Sequence, residues 1–253
     1  MRVVSLAPNI TEIIRFLERG SDVVACTQHD SLDSAESIGG WLSPDYNKIE
    51  EVDPDIVFTS DPLQRDIRDE LKNMDFTVHH TEPRSFSDLV PLIVSVGDEL
   101  DVDDIDNYTS KIIERVESVR GTVTDGKTIY CEEWDKPPMV AGNWVPEMID
   151  TIGGSYPFCD PTERSKEVTE EEFVRQEPDL FISHICGQGT RSTFREFREK
   201  WDYSGYVYFV NDSCINQLSP RTIDGLELLA EIASGRDYGQ SDMYVRKRYE
   251  NCF

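Results

Sequence analysis

Lysine is scarce in this chain, at eight of 253 residues, and the 25 basic residues face 50 acidic ones for a formal net charge of −25. Nucleic acid and anionic membrane surfaces both reward clustered basic charge, so neither is expected as a partner. The acidic residues are scattered rather than gathered in a tail, which describes a solvated surface and not an acidic arm. With so few lysines and slightly more aspartate than glutamate, this is the composition of a protein at home in concentrated salt, where screening removes self-repulsion. Long apolar runs are missing as well: nothing approaches the ~18 consecutive residues of a membrane span, so no insertion is expected. No C-x-x-C pair occurs. Cys26, Cys131, Cys159, Cys186, Cys214 and Cys252 stand far apart, as suits reduced thiols better than a disulfide framework. Met1-Arg2 runs directly into Val3-Val4-Ser5-Leu6 without an apolar leader or lipobox. The expected compartment is therefore cytoplasmic as the sequence reads, and extracytoplasmic if the true start lies upstream.

Catalytic signatures are lacking too. There is no G-x-S-x-G, H-E-x-x-H or P-loop. Gly187-Gln188-Gly189 opens like a dinucleotide loop, but Ser192 replaces the third glycine, and the first turn, Leu6-Ala7-Pro8-Asn9, has no glycine at all. Neither an enzyme nor a catalytic cofactor is expected. Amides at helix N-termini remain able to hold an anionic ligand group, with Arg191 and Arg221 as candidate helpers.

What is present is a chain 38% hydrophobic and 10% aromatic, enough to bury a core. Short β-branched runs alternate with helical patterns, the mark of an α/β protein with parallel sheet. Val3–Leu6, Val23–Cys26, Ile56–Thr59 and Thr77–His80 read as strands of a first part, and Ile129–Glu132, Leu180–His184 and Tyr206–Val210 of a second. His79-His80 read as a strand end without chemistry. After the first strand, Ile10, Ile13, Ile14 and Leu17 share a helical face, with Asn9 and Glu12 at capping-box spacing and Gly20 as the stop. The halves echo one another. Lys48–Phe58 runs from a helix end through Pro54-Asp55 into a buried strand, and Glu171–Phe181 repeats this through Pro178-Asp179, 124 residues later. Between the halves, residues 87–120 carry two helical periods, the second over Val102–Val119. The expected organisation is an N-terminal α/β lobe over 1–100, a connecting backbone helix over 101–122 and a C-terminal α/β lobe over 123–253.

Several stretches, in order along nearly the whole chain, carry a family resemblance. They are Arg2–Asn9 with Thr11-Glu12; Gly39-Gly40-Trp41 with Ile49 and Pro54–Val57; Pro137-Pro138 with Ala141-Gly142; Gly153-Gly154; Val168-Thr169 with Glu171 and Pro178-Asp179; and Ser219-Pro220-Arg221 with Gly225–Glu227. On these the chain resembles the substrate-binding proteins of vitamin B12 and iron-siderophore ABC importers. The resemblance implies two Rossmann-like lobes with parallel sheets on a long backbone helix, the helical-backbone metal-receptor type. Glu133-Trp134, Pro137-Pro138 and Gly142–Glu147 look like a subgroup usually called cobalamin-binding.

In open α/β sheets ligands gather beyond the carboxyl ends of the strands. The candidates there are Pro8 and Asn9, Gln28 and His29, Ser60 and Asp61, Glu133 and Trp134, Cys186 and Gly187, and Asn211 and Asp212. Trp41, Trp134 and Trp144 fall in expected loops, where local packing is the competing explanation of each. A corrin is a broad apolar disc with amides at its rim, which aromatic faces and a few polar groups suit. The resemblance puts Trp41 where B12 binders place a ring-contacting aromatic and Pro8 in the matching first loop. Two other family aromatics fall on Gln28 and near Ser165. The expected mechanism desolvates a corrinoid between the lobes, using Trp41 and Trp144 with hydrogen bonds from Asn9, Gln28 and Asn143.

His29 is a candidate axial cobalt ligand, the alternative being a solvated loop histidine. Cys131, Cys186 and Cys214 with His184 are a candidate soft-metal set, set against buried thiols as plain hydrophobes. The family docks on its permease through a carboxylate on each lobe: Glu171 matches the second position, while the first is Asn47, with Asp45 and Glu50 nearby. The reading is therefore a non-catalytic, monomeric binder of cobalamin or another corrinoid, serving an ABC importer. An intracellular corrinoid carrier or sensor is one alternative and a ferric-siderophore or haem binder the other.

Overall fold

Runs of β-branched residues bounded by Pro or Gly become the strands of two separate sheets. The structure, a computed structural model, describes residues 1–30, 32, 34–194, 200–236 and 242–253. The chain divides into unit 1, residues 1–83 and 88–112, and unit 2, residues 84–87 and 113–253.

Unit 1 contains β1 (Val3–Ser5), α1 (Pro8–Phe16), β2 (Val23–Cys26), β3 (Glu36–Ser37), β4 (Gly39–Gly40), β5 (Ser43–Pro44) and α2 (Tyr46–Val52). It continues through β6 (Ile56–Ser60), α3 (Arg65–Asn73), β7 (Val78–Thr81), α4 (Leu89–Glu99) and the start of α5 (Ile105–Val119). Its sheet has the order β3-β2-β1-β6-β7, every pair parallel, while β4 and β5 form a small antiparallel ribbon. The core is aliphatic: Val4, Leu6, Ile38, Ile49, Val57 and Leu71 pack together. Ile10, Ile13 and Ile14 are the buried face of α1, as their spacing predicts. The capping box expected at Asn9 and Glu12 does not form. Ala7 is the cap residue and Pro8 the first helical position, where a missing N–H costs nothing, so Asn9 lies inside the first turn. Gly20 opens a short 3₁₀ turn instead of closing the helix.

α5 begins at Ile105 rather than Val102. Asp101 and Asp104 take left-handed φ of 49° and 58°, and the Val102 N–H turns back to the Gly97 carbonyl. Its 15 residues span roughly 22 Å. The division between units falls inside this helix, after Ile112. In the unit 2 part, Arg115 grips Glu227 through both carboxylate oxygens (2.8 and 2.7 Å) and Asp224 at 2.6 Å.

Unit 2 contains β8 (Ile129–Asp135), β9 (Pro138–Val140), α6 (Val145–Ile152), β10 (Lys166–Glu167), α7 (Glu170–Gln176), β11 (Leu180–Ser183), β12 (Tyr206–Val210), α8 (Arg221–Ala233) and β13 (Tyr244–Arg248). Its sheet order is β10-β9-β8-β11-β12-β13. Only β8, β11 and β12 run parallel; β9, β10 and β13 run antiparallel to their neighbours. The centre of the sheet is parallel as expected; β9 runs back beside β8 because the two are joined by two residues, and so short a link can only reverse the chain. The core is aromatic. Tyr130 meets Phe158, Phe173 and Phe181 edge-on at 4.9–5.0 Å between centroids, with Trp201 and Tyr249 in the same cluster.

The repeat seen in the sequence is a repeat of structure. α2 and α7 each have seven residues, each ends on a left-handed acidic residue (Asp53 and Glu177), and each is followed by Pro-Asp and a buried strand. Asp55 accepts the Arg2 N–H and returns its own N–H to the Arg2 carbonyl. Asp179 does the same with Thr128. Each aspartate thus fixes the register at which the unit's first strand enters its sheet. No helix among the described residues is long and apolar enough to cross a membrane.

Candidate functional site

Unit 1 ties the loops at the carboxyl end of its sheet to one side chain. Gln64 is fully buried; its Oε1 accepts the Ser60 N–H at 2.7 Å, and its Nε2 donates to the carbonyls of Leu6 (2.8 Å) and Trp41 (2.5 Å). One amide thereby fixes the turn leading to Pro8, the ribbon tip bearing Trp41 and the end of β6. Asn9 donates to Ser60 Oγ at 3.2 Å, which also receives the Thr81 hydroxyl at 3.1 Å. Gln28 and His29 are exposed beyond β2. The Gln28 N–H donates to the Gly39 carbonyl, and the His29 N–H to Thr27 Oγ1. Thr27 in turn donates through N–H and hydroxyl to Asp30, whose burial pushes its carboxyl above the ordinary range.

A second chain of contacts runs Thr59–His80–Glu82–Arg65, at 2.8 Å, 3.1 Å and a short bidentate pair. Its hydroxyl–imidazole–carboxylate order could suggest an activated nucleophile, but Thr59 is fully buried. Arg65 holds the Glu82 carboxyl down at about 2, while burial lowers His80. These groups brace β6 against β7, so His80 is more than a strand end.

In unit 2, Trp144 caps the start of α6, half-buried, and its indole N–H donates to the Ile215 carbonyl at 2.6 Å. Gly142 lets a second loop come close: a Cβ there would land on the backbone of Glu163, Arg164 and Ser165. The Gly142 N–H donates to Ser165 Oγ and the Asn143 N–H to the Glu163 carbonyl, so two loops are zipped together. Asn143 takes a left-handed φ of 54°, tolerable for asparagine, and its side-chain amide has no hydrogen-bond partner among the described residues. Burial pushes the nearby Glu133 carboxyl above its ordinary range.

His184 lies just past β11, fully buried. Its Nδ1 meets Asn216 Oδ1 at 2.5 Å, and Asn216 Nδ2 donates back to the His184 carbonyl. Burial pushes the imidazole down to about 4, leaving it neutral with Nε2 unpartnered among the described residues. The clamp holds the turn whose Ile215 carbonyl anchors Trp144.

Other candidates stand differently from expectation. Trp134 is on β8, not in a loop, 38% exposed and donating to the Lys136 carbonyl at 2.8 Å, because β8 extends three residues further to pair with β9. Cys186 is exposed, whereas Cys131 and Cys214 are buried with thiols pushed up by burial. They do not converge with His184: the strand ends at Ser183, and no group of three His, Cys, Asp or Glu suited to a metal forms among the described residues. The Gly187 and Gly189 amides, in the loop that opens like a dinucleotide loop, both donate to the Asp212 carboxylate, at 2.9 and 3.0 Å, and so are filled from within. Asn47 and Glu171 are exposed and equivalent in the repeat, each the second residue of its helix. Asp45, offered by the sequence as a neighbouring carboxylate, is engaged as the cap of α2 through the Asn47 and Lys48 amides.

Sequence reasoning missed Gln64 and the His184–Asn216 clamp. Glutamine and asparagine are by default surface residues, and neither lies in a motif that signals burial.

Two α/β units, one with a parallel sheet and one with a parallel centre, are the fold of the solved periplasmic vitamin B12- and heme-binding proteins, and the chain has that fold. No family model matches it. In sequence it is 24% identical over 252 residues to an uncharacterized ABC transporter substrate-binding lipoprotein, YvrC, of Bacillus subtilis, covering 91% of this chain and 79% of that one. The vitamin B12-binding protein of Vibrio cholerae is 19% identical over 239 residues, 89% of this chain and 86% of that one. The solved periplasmic vitamin B12-binding protein BtuF of Vibrio cholerae superposes with a TM-score of 0.70 at 18% identity, covering 92% of this chain and 97% of that one. The periplasmic heme-binding protein RhuT of Roseiflexus sp. RS-1 gives 0.73 at 19%, with the same coverage. These proteins are named for binding and not for a reaction.

Proposed function

We propose that the chain is the non-catalytic solute-binding component of an ABC importer and that its ligand is cobalamin or a related corrinoid. The reading rests above all on the similarity to vitamin B12-binding proteins along nine-tenths of the chain. The loops beyond the strand ends are of the matching chemistry. Trp41 and Trp144 offer flat apolar faces on braced backbones, and Asn9, Gln28 and Asn143 offer amides to an amide-rimmed disc. His29, exposed after β2, is the proposed cobalt ligand. Under this reading the protein works outside the cytoplasm, as the solved vitamin B12-binding protein, periplasmic by name, does. It docks on its permease through Glu171, with exposed Glu50 supplying the carboxylate that Asn47 lacks. Were that docking lost, the same site would serve an intracellular carrier.

A haem-type chelate is the second reading, favoured by the TM-score of 0.73 to a heme-binding protein. Titration of the purified protein in concentrated potassium chloride with cyanocobalamin, hydroxocobalamin, cobinamide and haemin decides between them. Saturable heat with all three corrinoids and little with haemin is expected; tight haemin binding with silent corrinoids reverses the assignment. A hydroxocobalamin spectral shift that disappears in His29→Ala is the mark of cobalt ligation.

A further inference from the structure

The loop after β11 is shaped for an anion and already contains one. Gly187 and Gly189 have left-handed φ of 71° and 58°, and the space around their Cβ positions is open to 4 Å. Converging backbone amides in such a loop form a concavity that binds carboxylate or phosphate. Here Asp212 Oδ2 takes the Gly187 N–H and Oδ1 the Gly189 N–H, at 2.9 and 3.0 Å. The aspartate is itself held from behind: its carbonyl accepts the N–H groups of Ile215 and Asn216, at 3.0 and 2.8 Å, and Asn216 is clamped by His184. Hydrogen bonds to an ionised acceptor are the strong ones, so a ligand anion would have to displace a fixed, charge-assisted pair.

We propose that Asp212 is a built-in counter-anion that sets the ligand class of this face. It fills the amides that a carboxylate- or phosphate-bearing ligand would use and leaves negative charge beside them. Chelates with neutral, amide-bearing rims are accepted, and those presenting free anionic groups are rejected by repulsion as well as by lost hydrogen bonds. This deepens the binding-protein reading and rests on it.

The test compares wild type with Asp212→Ser and Asp212→Asn at fixed potassium chloride. In ¹⁵N-labelled protein titrated with inorganic pyrophosphate, the Gly187 and Gly189 amide resonances should move saturably in Asp212→Ser and stay still in wild type. In calorimetry, cyanocobalamin affinity should change less than about threefold while haemin, with its two propionates, binds at least about tenfold tighter to Asp212→Ser. Asp212→Asn, which keeps the shape and one acceptor, should fall between. Silent amides in a folded Asp212→Ser, or equal changes for haemin and cobalamin, would overturn the proposal. If wild type takes up neither chelate, the binding reading fails, and the pyrophosphate arm still decides on Asp212.

Discussion

α2 and α7 are one seven-residue motif written twice, and the places where the copies differ are informative. Caps, left-handed ends, Pro-Asp pairs and the strands that follow coincide at an offset of 124 residues. The one side chain that each helix buries differs: Ile49 in α2 and Phe173 in α7. Ile49 belongs to an aliphatic core, while Phe173 sits among rings of Tyr130, Phe181, Trp201 and Tyr203 at 4.9–5.7 Å. The outward residue two places earlier differs too, Asn47 against Glu171. Backbone grammar is set by turn chemistry and is indifferent to the packing around it; buried size and surface charge follow what each copy faces.

The sharpest way to break the parallel is at the buried pair. Phe173→Ala should destabilise by about 4 kcal/mol and Ile49→Ala by about 3 kcal/mol in denaturant titrations, the larger void lying in the ring cluster. Phe173→Ile, which imports the first copy's residue, should recover only part of the loss; full recovery would mean that the ring contacts add nothing beyond burial.

Next are the two loop braces. Gln64→Leu strands the Ser60 amide and two carbonyls and should lower stability by about 3 kcal/mol. In unit 2 the corresponding brace is titratable. His184 is pushed down to about 4 from an ordinary 6.5, so between those values the unfolded chain binds the extra proton. Stability should therefore fall as pH drops from 6.5 to 4, by roughly 3 kcal/mol at most, and level off below. His184→Gln should flatten this part of the pH profile. An unchanged slope would remove His184 as its source. Smallest are the caps: Asp45→Ala and Thr169→Ala should each cost about 1 kcal/mol, alike in both copies despite their different acceptors.

The alternation of strands and helices, the repeat and the buried face of α1 were legible because period and Pro placement are local signals. The ends of β8 and the antiparallel β9 and β13 were not, since pairing direction depends on partners far along the chain. Of the candidate site residues, Trp41, Asn143 and Trp144 were named from the sequence, but not what steadies them. The capping box at Asn9 misled because Pro8 prefers the first helical position, and that single preference shifts the helix start. The Gly187 loop read from the sequence only as an incomplete dinucleotide loop; that Asp212, from the next strand end, takes its amides is a tertiary fact.

Gly142 leaves one more mark, on how this protein can change over generations. Because any side chain there would collide with Glu163–Ser165, the two loops form a single hereditary unit with one position barred. Variation is channelled into Asn143 and Trp144, whose side chains take no part in the hydrogen bonds that zip the loops. A lineage acquiring a new ligand would thus be expected to rewrite those two letters and leave the glycine between Ala141 and Asn143 untouched.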